Sequence, residues 1–568
     1  MKNKQYMTID GIPVAIEGEK NLLELIRKTG TKLPTFCYHS DLSIYGACRM
    51  CMIENERGML EAACSTPPRA NTSIKTNTDR LRRYRKNILE LLLANHCRDC
   101  TTCPKNNDCK LQELAKRFNI EGVRFPNSAS EPDIDDSSVC ITRDKHKCIL
   151  CGDCVRMCNE VQKVGAIDYA HRGSKMTIST VFDQPISKSP CVGCGQCAAV
   201  CPTGAITVKK HLNKVWSILN DENIKTTVQI APAVRVALGK ELGVTEGENA
   251  MGKIVAALRR IGFDEIYDTS TSADLTVLEE SNEFLNRIEK GETDMPLFTS
   301  CCPAWVQFCE KKYPELLPHV SSCKSPMQMF AAIIKEQNKA STRKCIHVAV
   351  MPCTAKKYEA ERDEFKRDGV PDVDYVLTTQ ELVQMIKNAG IVFTELEPEA
   401  VDMPFSAMTG AGVIFGVSGG VTEAVLRRIS AEKTTAALMA ITYQGVRGLE
   451  GVKETTVKYG DRDVRIAIVS GLGNVDNLIN RIKDGEHFDL VEVMACPGGC
   501  INGAGQPFVF ASEREKRANG LYSADKMCNI KRSEENPLMM SLYNGLLKGK
   551  VHELLHVHYG HANHAQEE

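Results

Sequence analysis

Twenty-six cysteines in a chain of 568 residues are the natural starting point, because most of them fall into groups whose spacing suits metal. Cys148, Cys151, Cys154 and Cys158, then Cys191, Cys194, Cys197 and Cys201 followed by Pro202, repeat the pattern Cys-x2-Cys-x2-Cys-x3-Cys. Thiolates so spaced hold 4Fe-4S clusters. In tandem pairs the fourth cysteine of each run serves the other cluster, so Cys201 is expected to complete the first site and Cys158 the second. Cys37, Cys48, Cys51 and Cys64 form a looser group around a Cys-x2-Cys. Four such sulfurs suit a 2Fe-2S cluster, with zinc as the competing reading. His96, Cys100, Cys103 and Cys109 offer one imidazole and three thiolates, a set used for structural zinc as well as for 4Fe-4S; its place between two iron-sulfur groups favours the cluster. The last group, Cys302, Cys353, Cys496 and Cys500, is gathered from about two hundred residues of chain. Relay modules keep their ligands local, so a buried cluster assembled this way suggests chemistry rather than relay.

The charge balance, 71 basic against 72 acidic side chains, gives no electrostatic case for nucleic acid or an anionic membrane surface as the main partner. The first ten residues lack the apolar core of a secretory leader, and no apolar run approaches the roughly 18 residues of a membrane span. A reducing cytoplasm is the expected address, where thiols do not normally pair as disulfides.

The cysteines need a scaffold. Residues 6–9 and 12–16 flank Asp10-Gly11, a favoured two-residue hairpin turn, and Asn21 can cap a helix over residues 22–28. Thr66-Pro67-Pro68 closes that unit, residues 80–95 have helical periodicity, and the polar stretch 127–138 reads as a linker. From about residue 210 apolar strands alternate with helices, the pattern of an α/β domain. Four strand-like runs, at 227–230, 296–298, 346–350 and 490–493, lead into Ala231-Pro232, Ser300-Cys301-Cys302, Met351-Pro352-Cys353 and Met494-Ala495-Cys496. Sites in α/β sheets collect beyond the carboxyl ends of strands, so these four ends are expected to converge on one pocket. The expected organisation is a 2Fe-2S domain at 1–79, a His/Cys3-ligated 4Fe-4S domain at 80–125, a two-cluster 4Fe-4S domain at 126–209, and a catalytic domain with a C-terminal tail at 210–568.

The first group resembles plant-type ferredoxins, although its first gap is longer, and the tandem runs resemble bacterial ferredoxins. Thr299-Ser-Cys-Cys-Pro-Ala-Trp305, Met351-Pro-Cys-Thr-Ala-Lys-Lys-Tyr-Glu359 and Met494-Ala-Cys-Pro-Gly-Gly-Cys500 resemble the three signature segments of FeFe (iron-only) hydrogenases. With the cluster modules in the same order, the similarity covers nearly the whole chain. It fits the multi-cluster clostridial type or the similar catalytic subunit of NADH-linked FeFe hydrogenases.

That resemblance implies an α/β catalytic domain holding an H-cluster, preceded by small α+β ferredoxin-like domains. It implies a ferredoxin hydrogenase, which reduces protons reversibly to H2. Electrons would come from ferredoxin or a similar carrier, or from NADH-oxidising flavoprotein subunits, through one 2Fe-2S and three accessory 4Fe-4S clusters. The H-cluster would be a 4Fe-4S cube on Cys302, Cys353, Cys496 and Cys500, with Cys500 bridging to a diiron unit that carries CO, CN and azadithiolate and is installed by maturation proteins.

By the same resemblance Lys356 donates to a cyanide and Glu359 stands behind it. Met351, Met494, Phe415, Ala231-Pro232 and Ser325-Pro326 surround the diiron unit. Cys301, Glu280, Ser321 and Glu283 form a proton route ending near Arg287, in which a thiol beside a cluster ligand passes protons to carboxylates leading outward.

The chain departs from the family pattern at Ala304 and Ala504, where glycine is usual, at Ala233, where serine is frequent, and at Met327, where glutamine is frequent. Shifted catalytic bias, affinity or oxygen response is the expected consequence. Cys97, Cys140, Cys309, Cys323, Cys345 and Cys528 are left over and read as free core thiols. Gly471-Leu-Gly473 lacks the third glycine of a dinucleotide fingerprint. His552, His556, His558, His561 and His564 read as a solvated end. Two rival readings are an electron-transfer subunit of an NADH-linked complex, which would have no reason to carry Cys301, Lys356 and Cys500 together, and a non-catalytic or sensory hydrogenase relative, which loss of the diiron pocket or of the proton-route cysteine would mark; neither loss is seen in the sequence.

Overall fold

The computed structural model describes residues 5–127, 133–292, 294–430, 434 and 445–559. The described residues form two compact units. The first comprises Met1–Glu160, Gly165–Ser189 and Cys197–Thr207, the second Val161–Val164, Pro190–Gln196 and Val208–Glu568. The expected boundaries after residues 79 and 125 fall inside the first unit.

In the first unit Gln5–Ile9 pairs antiparallel with Ile12–Ile16, Ile9 opposite Ile12. The turn residues Asp10 and Gly11 both have positive φ, 48° and 86°, as a type I′ turn requires. Asn21 caps the helix Leu22–Arg27 by accepting from the Glu24 N–H at 3.0 Å. The edge order of this five-stranded sheet is Ile12–Ile16, Gln5–Ile9, Ser73–Lys75, Met52–Asn55, Leu60–Ala62. The helix expected at 80–95 runs over Asp79–Ala94, capped by Thr78. Its buried Arg85 donates from Nε to the Met50 carbonyl (3.3 Å) and from Nη2 to those of Met52 (2.7 Å) and Thr76 (2.9 Å), fixing the loop that carries Cys48 and Cys51. The segment read as a linker is partly structured: Ile134–Asp135 pairs antiparallel with Ile141–Asp144, while residues 128–132 lie outside the described part.

The second unit is the α/β domain the sequence pattern implied. Apart from the small antiparallel pair Lys366–Arg367 and Val370–Pro371, its strands divide between two four-stranded sheets. One has the parallel order Glu265–Asp268, Ile224–Ile230, Lys344–Met351, Tyr375–Thr378. The other runs Leu297–Phe298, Leu490–Met494, Arg462–Ser470, Val452–Tyr459, with only the last pair antiparallel. The four runs singled out from sequence thus belong two to each sheet. Parallel strands covered by helices are apolar on both faces, which is why Val348, Ala349, Val350, Val491 and Val493 are all buried. Beside the sheets stands the 21-residue helix Ser270–Lys290, buried along its first half.

Candidate active site

The four widely separated cysteines are positioned by strand ends and the turns that follow them. Cys302 precedes the helix Pro303–Lys312, whose proline occupies a position where no N–H is needed. Cys353 follows Lys344–Met351, and Cys496 follows Leu490–Met494. Cys500 opens the turn Cys500–Asn502. Gly499, at φ 94°, has no room for a Cβ, which would lie 2.6 Å from the Ser418 nitrogen.

The thiols sense one another. Burial pushes Cys353 up to about 12, with Cys302 adding to the shift. Cys496 and Cys500 are raised by burial and then by Cys353 and Cys302. Burial disfavours thiolate at all four positions, and charge on neighbouring sulfurs disfavours it further at Cys353, Cys496 and Cys500, so the donor set fits a cationic 4Fe-4S core that supplies the compensating charge. Hydrogen bonds to sulfur are already in place. The Ala495 N–H donates to Cys302 Sγ at 3.4 Å, and Gln196 Nε2 donates to Cys496 Sγ at 3.1 Å.

Lys356 and Glu359, three residues apart on the helix Ala355–Glu361, form a buried pair at 2.7 Å, and Lys356 Nζ also donates to the Cys301 carbonyl at 3.1 Å. Burial opposes the lysine's charge, but Glu359 outweighs it and the pKa moves up, so the ammonium persists beside the thiol site. Met494 and Phe415 pack in one apolar cluster bordered by Cys301 and Cys500. Ala231 and Met351 join Met327 in the core of the first sheet. Pro232 begins a buried turn, Pro232–Val236. Ser325 caps the helix Pro326–Gln337, and the Pro326 carbonyl accepts from the Ser272 hydroxyl at 2.8 Å. Of the four family departures, Ala233 packs in a cluster bordered by Cys500. Ala504 lies where a Cβ on Gly195 would approach to 2.9 Å.

The expected proton route is assembled in part. Ser321 Oγ donates to Glu283 Oε2 at 2.7 Å. Glu280 is fully buried, and neither carboxyl oxygen has a hydrogen-bond partner of good geometry. Burial, then the charges of Glu283 and Glu492, push its pKa up to about 8, which leaves it protonated at neutral pH. Burial, then Glu280, raises the neighbouring Cys301 thiol. Arg287 instead directs Nη2 to the Met295 carbonyl (3.1 Å) and to His319 (3.2 Å).

In the first unit Cys37 pairs with Cys48, and Cys51 with Cys64. Cys48 shifts toward thiolate, to about 5, held by the Cys37 thiol and by backbone N–H groups that include Phe36 at 3.4 Å. Two pairs of thiols within electrostatic reach of each other suit a two-iron rhomb in which each iron takes two sulfurs. His96, Cys100, Cys103 and Cys109 line one cavity, joined by Cys97. Burial pulls the His96 pKa down to about 4, and Nε2 is buried without a partner, which leaves a neutral imidazole free to ligate. Cys148, Cys151, Cys154 and Cys201 line another cavity, the grouping that puts Cys201 with the first run. Cys158 and Cys197 belong to the first unit and Cys191 and Cys194 to the second. Cys194 borders the same apolar cluster as Cys302 and Cys353.

Several residues escaped the sequence reading. Gln196 lies inside the second cysteine run, which masked it. Gln162 braces the Cys496 loop, donating to the Ala495 carbonyl at 3.0 Å and accepting from the Leu472 N–H at 3.0 Å. The tail is not simply a solvated end: Leu554, Leu555 and Val557 are buried, and His556 is hydrogen-bonded to Ser322 and Glu279. His552 and His558 are exposed; His561 and His564 lie outside the described residues.

Comparison with known proteins defines the class. The iron only hydrogenase large subunit, C-terminal domain, matches residues 224–504, and the iron hydrogenase small subunit matches 511–562. Upstream, a 2Fe-2S iron-sulfur cluster binding domain matches 6–79, the NADH-ubiquinone oxidoreductase-G iron-sulfur binding region 85–124, and a 4Fe-4S dicluster domain 147–208. The NADP-reducing hydrogenase subunit HndD of Solidesulfovibrio fructosivorans is 42% identical over 97% of this chain and 98% of its own. Iron hydrogenase 1 of Clostridium pasteurianum is 34% identical over 97% and 99%. Cytosolic iron-sulfur assembly component 3 of Mus musculus is 31% identical over 66% and 83%. A solved structure of a variant of the [FeFe]-hydrogenase HydA1 from Chlamydomonas reinhardtii superposes with a TM-score of 0.53 at 35% identity, covering 62% of this chain and 99% of that one. The chain belongs to the iron-only (FeFe) hydrogenase family, with N-terminal 2Fe-2S and 4Fe-4S domains ahead of the hydrogenase domain. The family relation supports an oxidoreductase acting on H2.

Proposed function

We propose that this chain catalyses the reversible reduction of protons to H2, with electrons relayed through one 2Fe-2S and three accessory 4Fe-4S clusters. The observation that carries the reading is the grouping of Cys302, Cys353, Cys496 and Cys500 beside Cys301 and the charged Lys356, with the buried acid Glu280 beyond. Bound there, an H-cluster would supply the iron centre at which electrons and protons combine. The chain does the rest. Lys356, held by Glu359, presents a fixed positive charge. Met494 and Phe415 exclude water from the Cys301 side. Glu280 stores a proton, and Cys301, Ser321 and Glu283 link that store to the site and to the surface.

The proposed ligand sets are Cys37, Cys48, Cys51 and Cys64 for the 2Fe-2S cluster, and His96, Cys100, Cys103 and Cys109 for the first 4Fe-4S cluster. Cys148, Cys151, Cys154 and Cys201 would hold the second, and Cys191, Cys194, Cys197 and Cys158 the third. The proposed donor is ferredoxin or a similar carrier, or an NAD(P)-linked flavoprotein subunit; the second is supported by the relative named as NADP-reducing and by the NADH-ubiquinone oxidoreductase-G match. Cytoplasmic action is proposed because cysteines grouped at cluster-ligand spacings need a reducing compartment that keeps them available to iron; among the described residues no helix is long and apolar enough to cross a membrane.

Similarity to an iron-sulfur assembly component keeps a non-catalytic role as the second reading. Such a role has no use for a buried protonated acid behind a thiol. The test is anaerobic hydrogen evolution from reduced methyl viologen by apoprotein, protein matured with the diiron unit, and a matured Cys301→Ser variant. Evolution that needs maturation and collapses in the variant is the expected result. No hydrogen from fully loaded protein would move the assignment to the non-catalytic reading.

A further inference from the structure

The C-terminal segment does more than cover the hydrogenase domain. After the helix Val551–Leu555 the chain runs along residues 322–324. The Lys324 N–H donates to the Leu555 carbonyl at 2.8 Å, and the Val557 N–H donates to the Ser322 carbonyl at 2.7 Å. Cys323 and His556 form an antiparallel bridge. This tether fixes the His556 ring between two polar groups. Nδ1 lies 2.9 Å from Ser322 Oγ, and Nε2 lies 3.0 Å from Glu279 Oε2.

Ser322 in turn touches the outer acid of the proton route. Its hydroxyl is 3.4 Å and its N–H 3.1 Å from Glu283 Oε2. Glu279 also accepts from the Tyr543 hydroxyl. The His556 ring centroid is 5.0 Å from that of His552, which is 5.6 Å from that of His558, and both of these outer imidazoles are exposed. His556 itself is 12% exposed. Other ionisable groups near this cluster include Cys323, 3.8 Å from Glu283, Glu280, which feels the charge of Glu283, and Arg428, whose charge acts on Glu279.

We propose, building on the hydrogenase reading, that His556 gives the proton route a second outer branch, Glu283–Ser322–His556–Glu279, beside the exposed histidines. For one inward transfer, a protonated Glu279 gives its proton to Nε2 and Nδ1–H gives its proton to Ser322 Oγ. The Ser322 O–H proton then passes to the Glu283 carboxylate. Glu279 ends one proton poorer and Glu283 one richer; no electron moves, and only O–H and N–H bonds change. Imidazole suits this position because it carries a donor and an acceptor on opposite edges. The direct Ser321–Glu283 contact leaves the inner part of the route as it was.

The test uses full-length, cluster-loaded protein. Wild type, His556→Gln, His556→Ala, Ser322→Ala and Cys301→Ser are compared by hydrogen evolution at saturating reduced viologen. They are also compared by the rate at which the infrared bands of the buried carboxyl groups exchange in D2O, a readout that needs no turnover. Two equal branches predict loss of about half the rate in both histidine variants and in Ser322→Ala. The KM for viologen stays unchanged, carboxyl exchange slows, and free imidazole rescues His556→Ala but not His556→Gln. Wild-type evolution and exchange in Ser322→Ala or His556→Gln would overturn the branch, as would absence of imidazole rescue in a folded His556→Ala. If His556→Ala does not fold, Ser322→Ala, which only removes a hydroxyl, decides. No evolution by wild type with Glu283 exchange still slowed in His556→Gln would sink the hydrogenase reading and leave the branch standing.

Discussion

Replacing Glu280 by glutamine should make the protein more stable in alkali and nearly inactive. The carboxyl is fully buried, and its pKa is pushed from 4.5 up to about 8 by burial and by Glu283 and Glu492. The folded chain therefore keeps a proton on Glu280 that the unfolded chain has already released. Folding takes up a proton between those two values, so this residue's contribution to stability falls as pH rises through them. At about 1.4 kcal/mol per pKa unit the full displacement is worth about 5 kcal/mol, of which roughly half is lost between about pH 6 and about pH 9. A neutral amide of the same shape loses none of it. Anaerobic thermal scans of loaded wild type and Glu280→Gln should diverge by several degrees across that range, the variant melting higher at alkaline pH. Hydrogen evolution should drop by a factor of about 100 or more, because an amide cannot accept and release the proton. Parallel melting curves at every pH, or a variant that turns over like wild type, would refute the idea that Glu280 is a buried proton store.

Other perturbations test the surrounding structure. Glu359→Gln strips Lys356 of its carboxylate, and breaking a buried pair costs about 3–5 kcal/mol; the expected result is poor retention of the diiron unit, read by its infrared bands, with the accessory clusters intact. Arg85→Met removes the donors to three backbone carbonyls around the Cys48 loop, about 3 kcal/mol in all, and should speed bleaching of the 2Fe-2S absorbance while leaving the second unit's melting unchanged. Cys201→Ser should cost about four irons per chain and one 4Fe-4S paramagnetic signal; full iron content would remove Cys201 from the proposed ligand set.

What the sequence revealed and what it hid follow from the range over which each feature acts. The cysteine groups stood out because their spacing suits iron-sulfur ligation, which is a local feature of the chain, and the first hairpin was legible because Asp10-Gly11 restricts backbone angles locally. The apolar strands 227–230 and 490–493 were also visible. Their division between two sheets was not, since strand order depends on pairings such as Phe298 with Val491 that leave no periodic trace. The same holds for Gln196 on Cys496 and for His556 on Ser322, contacts across 300 and 234 residues. The stretch 127–138 misled because polar composition does not forbid a short strand when a partner, Ile141–Asp144, lies next in the chain.

Glu279 and Glu280 show how such long-range contacts assign roles to residues that sequence cannot tell apart. Both are buried on the helix Ser270–Lys290, yet their pKa values move in opposite directions. Burial alone would raise both. For Glu280 the neighbouring carboxylates add to it, and the weaker lowering influence of Ser300 and Ser321 does not offset it. For Glu279 the hydrogen bonds from His556 and Tyr543 outweigh it, and the pKa falls. Adjacent acids whose pKa values are pushed apart in this way are suited to dividing acid and base roles between them. Since His556 and Tyr543 both come from the last thirty or so residues of the chain, the C-terminal segment, and not the helix itself, sets the difference. Removing His556 should therefore raise Glu279 toward Glu280 and erase the gradient along which protons are proposed to move.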